Sequence, residues 1–511
     1  MGKKLVIIGI DSLDPTIIKS NLSVLPNFNR LYEGCSDLKL KSVFPVDTIP
    51  AWMSVYTGQN PGRHGIFYVY DIFDSDLSDL TKIDIERLKG NTFWDYANES
   101  GKRCVLAFPI LVYPPWKIDG VILSKSPREK RINNIETRRN ILSFPENISE
   151  EFVKQNEMRD LWGGYPGKKK LKSWSDSGKD IILNEAEITI RLLNEERCDL
   201  FFCYFSLLDI IQHRLWRFYD RSDPTFIKSR ELADVIPAYY KIIDEIVGKI
   251  IAASPNAIHM ILSDHGHKMR PIKTLNINEH LRRKGFLGIR NAETSLLRLT
   301  KPYVRRIILK LMDKLEIESL VLKLISKSKW LTKSAKGVYS SSDQINHTES
   351  RAFLSSFAGI KSYSHGGIEI NRENLTDIEY EELRDRIMNT LLEIKEPDSN
   401  RVVMRWVRKR EDLGSGRYVK SIYPDVIFEM VNDIGVGWEL NEGLFGISAD
   451  HKIASGGHAE EGVILIDDNI KGIWKKNVEL IDIAPTALML LGIGYSEEKF
   501  DGKCIMKMRD I

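Results

Sequence analysis

Leu5-Val6-Ile7-Ile8-Gly9-Ile10-Asp11 is a short apolar run closed by a carboxylate. A run of this length reads as a β-strand. Five further runs repeat it: Cys104–Phe108, Leu200–Phe205, Ile258–Leu262, Val426–Met430 and Val463–Ile466. Helical patterns lie between them. They include Pro26–Glu33, Pro237–Ala253 with apolar residues at helical spacing, and Leu480–Leu491. Asp482 and Pro485 stand in the first turns of the last, as a helix start favours. Strands alternating with helices predict an α/β fold, with a mainly parallel central sheet covered by helices on both faces.

The carboxylate that closes the first run has two counterparts. Asp209 follows Leu200–Phe205 after a short gap, and Asp264 follows Ile258–Leu262. All three lie past the C-terminal ends of predicted strands, the edge of an open α/β sheet where ligands and catalytic groups gather. One such Asp is often only a helix cap, but two of these three have a histidine nearby. Asp209 and His213 are four apart, so on a helix they face the same side one turn apart. Asp264 and His265 are adjacent in Ser263-Asp264-His265-Gly266, where Gly266 permits an unusual backbone. His458 ends Ser455-Gly456-Gly457-His458, just before the run Val463–Ile466. Imidazole with carboxylate suits zinc, manganese or iron better than magnesium or calcium. Taken singly, a D-x-x-x-H pair is usually a surface pair.

The candidate nucleophile is Thr48 in Phe44-Pro45-Val46-Asp47-Thr48-Ile49-Pro50-Ala51-Trp52. Pro50 favours the first turn of a helix, which sets Thr48 at an N-terminus where a phosphate is well placed. A threonine hydroxyl is a poor nucleophile until a metal lowers its pKa. On local context alone Thr48 reads as an N-cap.

The 511 residues suit one large α/β body with an insertion, or two to three domains. Lys and Arg number 74 against 71 Asp and Glu, a near balance that gives no support for nucleic-acid polymer binding. The five cysteines are scattered without C-x-x-C spacing, which reads as free thiols in a reducing compartment. The first run is too short for a signal segment, and no stretch has the roughly 18 apolar residues of a spanning helix. The expectation is a cytoplasmic protein. Residues 268–350 differ from the rest. Arg305, Arg306, Lys310, Lys314, Lys323, Lys327 and Lys329 interleave with apolar residues, as in amphipathic helices of a cap or insertion. A basic solvated face over a packed one is the plainer reading. Peripheral contact with an anionic membrane or substrate is the sharper one.

Taken together these residues resemble the alkaline phosphatase superfamily, in its type I phosphodiesterase/nucleotide pyrophosphatase branch, and within it the microbial phosphohydrolase/phosphomutase group. The matching segments are Gly9-Ile10-Asp11-Ser12-Leu13-Asp14, Leu25-Pro26-Asn27-Phe28, Thr48-Ile49-Pro50-Ala51-Trp52 and Thr57-Gly58-Gln59-Asn60-Pro61-Gly62-Arg63-His64-Gly65-Ile66. Tyr113-Pro114-Pro115, Asp209-Ile210-Ile211-Gln212-His213, Ser263-Asp264-His265-Gly266, Gly457-His458 and Asp482-Ile483-Ala484-Pro485-Thr486 continue the series. The resemblance implies a single alkaline-phosphatase-like catalytic domain over residues 1–511, three-layer α/β/α, with a helical insertion at about 268–350.

It also implies two divalent metal ions, usually zinc, although this ligand set admits manganese or iron. One ion would use Asp11, Thr48, Asp264 and His265, and the other Asp209, His213 and His458. Thr48 would attack a small phosphorylated substrate in line and form a phospho-threonine. Two in-line inversions would then give net retention at phosphorus. Two departures stand out. Val69 occupies the place where nucleotide pyrophosphatases carry a phosphate-binding Asn, and Gln212 replaces the Gly of D-x-x-G-H. Asn60, Arg63 and His64 belong to the motif with structural roles. His267 and Arg270 are near enough to Asp264 to be candidates for reaching substrate, and His280 and His365 get no role. The resulting expectation is phosphodiester or pyrophosphate cleavage. Phosphomonoesterase and phosphomutase share the same core, and a non-catalytic metal-binding scaffold is the alternative of another class. A sulfatase does not fit, because Thr48 stands where its formylglycine precursor should be and Trp52 where its Arg should be.

Overall fold

A computed structural model describes residues 4–34, 39–67, 85–126, 137–138, 141–153, 159–160, 166–289, 344–358, 363–440, 443–448, 450–452, 454–466, 472–475 and 477–508. Its centre is a nine-stranded sheet. From one edge the strands run Asn477–Glu479, Lys39–Lys41, Glu461–Ile466, Ile258–Leu262, Leu5–Ile10, Leu200–Phe205, Cys104–Ala107, Gly120–Lys125 and Ile141–Phe144. Leu5–Ile10 lies in the middle, parallel to both neighbours, with Leu5 opposite Leu200 and Ile258. All six of its residues are buried, which explains why the run has no polar alternation.

Alternate residues feed two cores. Val6, Ile8, Ile10, Phe201, Cys203 and Phe205 pack under the helices Leu171–Glu195, Leu207–Tyr219 and Val235–Ala253. Leu5, Ile7, Leu200, Phe202 and Tyr204 pack under Thr48–Thr57, Phe93–Glu99 and Ile483–Leu490. The result is the expected helix–sheet–helix sandwich. Pro237 is the third residue of its helix, where a missing N–H costs nothing. The helix expected from Leu480 opens as a 3₁₀ turn, Leu480–Asp482, before Ile483–Leu490.

Two expectations need correction. Val426–Met430 is a strand but not of the central sheet. It lies in a separate four-stranded sheet with Ala352–Leu354, His365–Ile370 and Met404–Lys409, antiparallel to its neighbours. Its two faces are covered by the helix Asp377–Leu392 and by an aromatic cluster around Phe357, so it has the same apolar composition as a central strand. Glu461–Ile466 does join the central sheet, but antiparallel to Ile258–Leu262. The insertion expected at about 268–350 is described only in part. Gly266–Met269 and Lys273–Asn276 are strands, followed by the helix Ile277–Arg283. Its basic stretch, Arg305 to Lys329, lies outside the described residues, as do Val69 and Cys35. Cys104, Cys198, Cys203 and Cys504 are free thiols.

Candidate metal centre and active site

The register of the central strands sets the site. Asp11 follows Ile10, which is opposite Phe205, and Asp264 lies two residues beyond Leu262, which is opposite Gly9. Asp209 and His213 stand one turn apart on the helix Leu207–Tyr219. His458 arrives on Gly456–Ala459, which pairs antiparallel with Gly266–Met269 and faces His267. Thr48 is brought in by Trp52 of its own helix. A Cβ on Gly9 would fall 2.6 Å from the Trp52 ring, so only glycine lets that ring lie on the first strand. The helix starts at Thr48 with Asp47 in the cap position, so Thr48 is not the N-cap its local context suggested. Its half-buried hydroxyl turns instead to His265 Nε2 at 3.3 Å and Asp11 Oδ1 at 3.5 Å.

All six expected Asp and His residues converge there, in two groups. Asp11, Asp264 and His265 form one, and Asp209, His265 and His458 the other, with ligand atoms inside each group within 4.8 Å of one another. His213 joins the second group, its Nε2 lying 3.2 Å from Asp209 Oδ1 and 2.9 Å from His458 Nε2. His265 faces both groups: its Nε2 is 3.1 Å from Asp264 Oδ2 and 3.6 Å from Asp11 Oδ1, and its ring stacks on His458 at 3.9 Å.

The donor set fits divalent cations. Nδ1 of His213, His265 and His458 lies 2.8, 3.0 and 2.9 Å from the carbonyls of Gly456, Gly266 and Val46. Each ring therefore donates outward from Nδ1 and turns an Nε2 lone pair inward, the arrangement that orients metal-binding imidazoles. Asp209 Oδ1 and Asp264 Oδ2 are buried without a hydrogen-bond partner. Electrostatics agree. Burial, then the charges of Asp264 and Asp209, hold Asp11 well above the usual carboxylate range. Burial likewise raises Asp264. Asp209 is drawn well below that range, because His213 and His458 outweigh its burial. Burial lowers His213 and His265. So many buried ionisable groups need added positive charge before all can adopt their ligand forms.

Several contributors were not evident in the sequence. The Tyr204 hydroxyl donates to Asp11 Oδ2. The only sequence-level sign of this is position, since Tyr204 lies opposite Gly9 on the Trp52 face. Ser12 N–H donates to Asp264 Oδ1 at 3.2 Å, from a residue at φ +62°. Tyr363 stacks beside His458 at 5.5 Å and His365 lies against Tyr363, so His365 is nearer the site than expected. His267 is 2.7 Å from Ser12 Oγ through Nδ1 and is packed behind Asp209 rather than open to substrate. The motif residues expected to be structural are held as such. Arg63 pairs with Asp501 at 3.0 Å, Asn60 N–H donates to the same carboxylate, and His64 is buried against Ser54 with its pKa lowered to about 3.

This architecture is the alkaline-phosphatase-like fold. The crystal structure of phosphonoacetate hydrolase from Sinorhizobium meliloti 1021, in complex with phosphonoformate, shares the fold at TM-score 0.52 and 13% identity, over 96% of each chain. Human ectonucleotide pyrophosphatase/phosphodiesterase 5 aligns at TM-score 0.48 and 12% identity, over 98% of this chain and 97% of that one. No curated protein sequence matches the chain. The profile of the type I phosphodiesterase/nucleotide pyrophosphatase family matches residues 5–427, and the chain belongs to that family. It is thus a hydrolase of the alkaline phosphatase superfamily, from a metal-dependent family.

Proposed function

We propose that the protein is a metal-dependent phosphohydrolase that cleaves phosphodiester or pyrophosphate bonds through a phospho-threonine on Thr48. The observation that carries this reading is the convergence of Thr48 Oγ1 with Asp11 and His265, next to a second Asp–His group. Asp11, Asp264, His265 and Thr48 would hold one divalent ion, and Asp209, His213 and His458 the other, with zinc the favoured ion and manganese or iron admitted by the same donors. When bound, the ions supply positive charge that acidifies the Thr48 hydroxyl and neutralises phosphoryl oxygens.

The remaining work falls to the chain. Tyr204 fixes Asp11 through Oδ2, which leaves Oδ1 turned to Thr48. Thr48 Oγ1 releases its proton to solvent and forms the new P–O bond, while the bond to the leaving oxygen breaks on the opposite side of phosphorus and that oxygen takes up a proton from solvent. Water then displaces Thr48, and the two inversions give net retention.

The test is purified protein with zinc, manganese or no added metal, assayed against phosphomonoesters, phosphodiesters and nucleotides. We expect metal-dependent turnover of diesters or pyrophosphates in the wild type. Thr48→Ala should lose at least roughly 10³-fold in kcat while metal content stays near wild type. Acid quench followed by mass spectrometry should find phosphate on Thr48. Equal activity in Thr48→Ala removes it from the mechanism, and a metal-loaded protein that turns over nothing is a scaffold. Turnover of monoesters alone would make the protein a phosphomonoesterase, and isomerisation of a phosphorylated sugar without phosphate release would make it a mutase.

A further inference from the structure

Arg270 directly follows the strand Gly266–Met269, and its N–H donates to Ser455 O at 2.8 Å. It is 5% exposed. Its guanidinium carbon lies 5.3 Å from the centre of the Tyr363 ring, and that ring lies 5.5 Å from His458. Gly457 packs against both, since a Cβ there would lie 3.5 Å from Arg270 Cβ and 3.6 Å from Tyr363 Cε1.

Among the described residues Arg270 has no counter-charge beside it, although it lies next to the Asp209 group. Its Nε is buried without a hydrogen-bond partner. No carboxylate among the described residues lies within ion-pairing distance of it. Two other buried arginines face carboxylates: Arg384 pairs with Glu411 and Glu381, and Arg410 with Asp425. A third, Arg214, donates to the carbonyls of Lys452 and Pro166. A buried guanidinium with no anion is strongly unfavourable, and a ligand that brings an oxyanion removes that penalty. Guanidinium also presents a planar fork that matches carboxylate and phosphate.

Its position indicates which part of a substrate it would meet. Tyr363 and Arg270 flank His458, and the charge of Arg270 acts on His213, so both belong to the Asp209 group. Thr48 stands with Asp11 on the other side. Attack by Thr48 sends the leaving oxygen away from itself, towards the Asp209 group.

We propose that Arg270 binds an oxyanion on the leaving half of the substrate, so that the preferred substrates are phosphoric esters or anhydrides whose leaving group carries its own phosphate or carboxylate. This rests on the phosphoryl-transfer reading above. Arg270 would then be a residue that sets substrate choice by touching the leaving group, separate from the groups around Thr48.

The experiment compares wild type, Arg270→Gln and Arg270→Lys on two esters of the same phosphoric acid. One has a 4-nitrophenyl leaving group and the other 4-carboxyphenyl. Losing a charge-assisted hydrogen bond should lower the carboxyphenyl-to-nitrophenyl ratio of kcat/KM roughly 10- to 100-fold in Arg270→Gln. Arg270→Lys should recover part of the ratio. Calorimetric titration with inorganic pyrophosphate makes the comparison without turnover, and binding should weaken about tenfold in Arg270→Gln. A loss confined to pyrophosphate would identify phosphate as the recognised group, and a loss confined to the carboxyphenyl ester would identify carboxylate. An unchanged ratio together with unchanged pyrophosphate affinity overturns the proposal, as does an equal fall on both esters. Wild type that cleaves neither ester counts against the phosphohydrolase reading, and pyrophosphate binding then decides Arg270 alone. Melting of Arg270→Gln at or above the wild-type temperature is expected, because an uncompensated buried charge has been removed.

Discussion

Gln212 shows how one residue can join the two halves of the site. It is fully buried between Asp209 and His213 on the same helix. Its Nε2 donates to Ser12 O at 2.8 Å, and its Oε1 accepts from Tyr240 O–H at 3.1 Å. That hydroxyl in turn accepts from Asp14 N–H at 3.0 Å. Ser12 holds a left-handed backbone, and its N–H fixes Asp264 Oδ1. Gln212 therefore ties the helix of one Asp–His group to the loop that orients the other. The resemblance puts glycine here, so this brace is a feature of this chain. Gln212→Ala leaves a buried carbonyl and a buried hydroxyl short of partners and should cost about 1–3 kcal/mol in urea unfolding. It should also weaken zinc binding measured by titration, which a purely structural loss elsewhere would not do. Stability and zinc affinity both at wild-type values would rule out the brace.

The helix Thr48–Thr57 places the nucleophile through Trp52, which is fully buried among Tyr204, Phe202 and Tyr56. A Cβ at position 9 would meet the Trp52 ring at 2.6 and 2.9 Å, and the surrounding rings leave it nowhere to go. Gly9→Ala should therefore cost about 1–3 kcal/mol by overpacking and displace the helix start. We expect kcat to fall at least tenfold, because misplacing a reacting group by about 1 Å can cost roughly 10² in rate. A variant with wild-type kcat would show that Trp52 does not set the position of Thr48. Elements of this kind were legible in part. Fully buried strands announce themselves by composition, and Leu5–Ile10, Leu200–Phe205 and Ile258–Leu262 were readable for that reason. Composition does not say which sheet a strand joins or which way it runs. Val426–Met430 is covered on both faces by other elements, and Glu461–Ile466 runs against its neighbour, so neither fact had a local signal. The Asp and His residues were legible because their order along the chain carries the family pattern. Tyr204, Ser12, Gln212 and Tyr363 act across long sequence separations, and their roles exist only once the sheet register is known.

At the scale of the whole molecule, the site is a concentration of buried charge that the fold must balance. Among the described residues no helix is long and apolar enough to cross a membrane. Asp11 and Asp264 have folded-state pKa values raised by burial, so without metal the folded chain binds more protons than the unfolded chain. Their contribution to stability is complete below the ordinary carboxylate range and is lost as pH rises through the raised values. His213 and His265 are lowered by burial and act in the opposite sense. Their contribution grows with pH up to about 6.5, the unperturbed histidine value, and is flat above it. Among these four groups, the histidines are constant above about pH 6.5, and a further rise in pH acts through the two raised carboxylates, in the direction that weakens the metal-free chain. Chelation should therefore lower the melting temperature more at pH 8 than at pH 6.5. Metal present at 100 times its Kd should restore about 2.7 kcal/mol per site. Differential scanning calorimetry of chelated and zinc-loaded protein at the two pH values measures the difference. A gap between loaded and chelated protein that is the same at both, or larger at pH 6.5, would mean that Asp11 and Asp264 do not carry the protons that metal displaces.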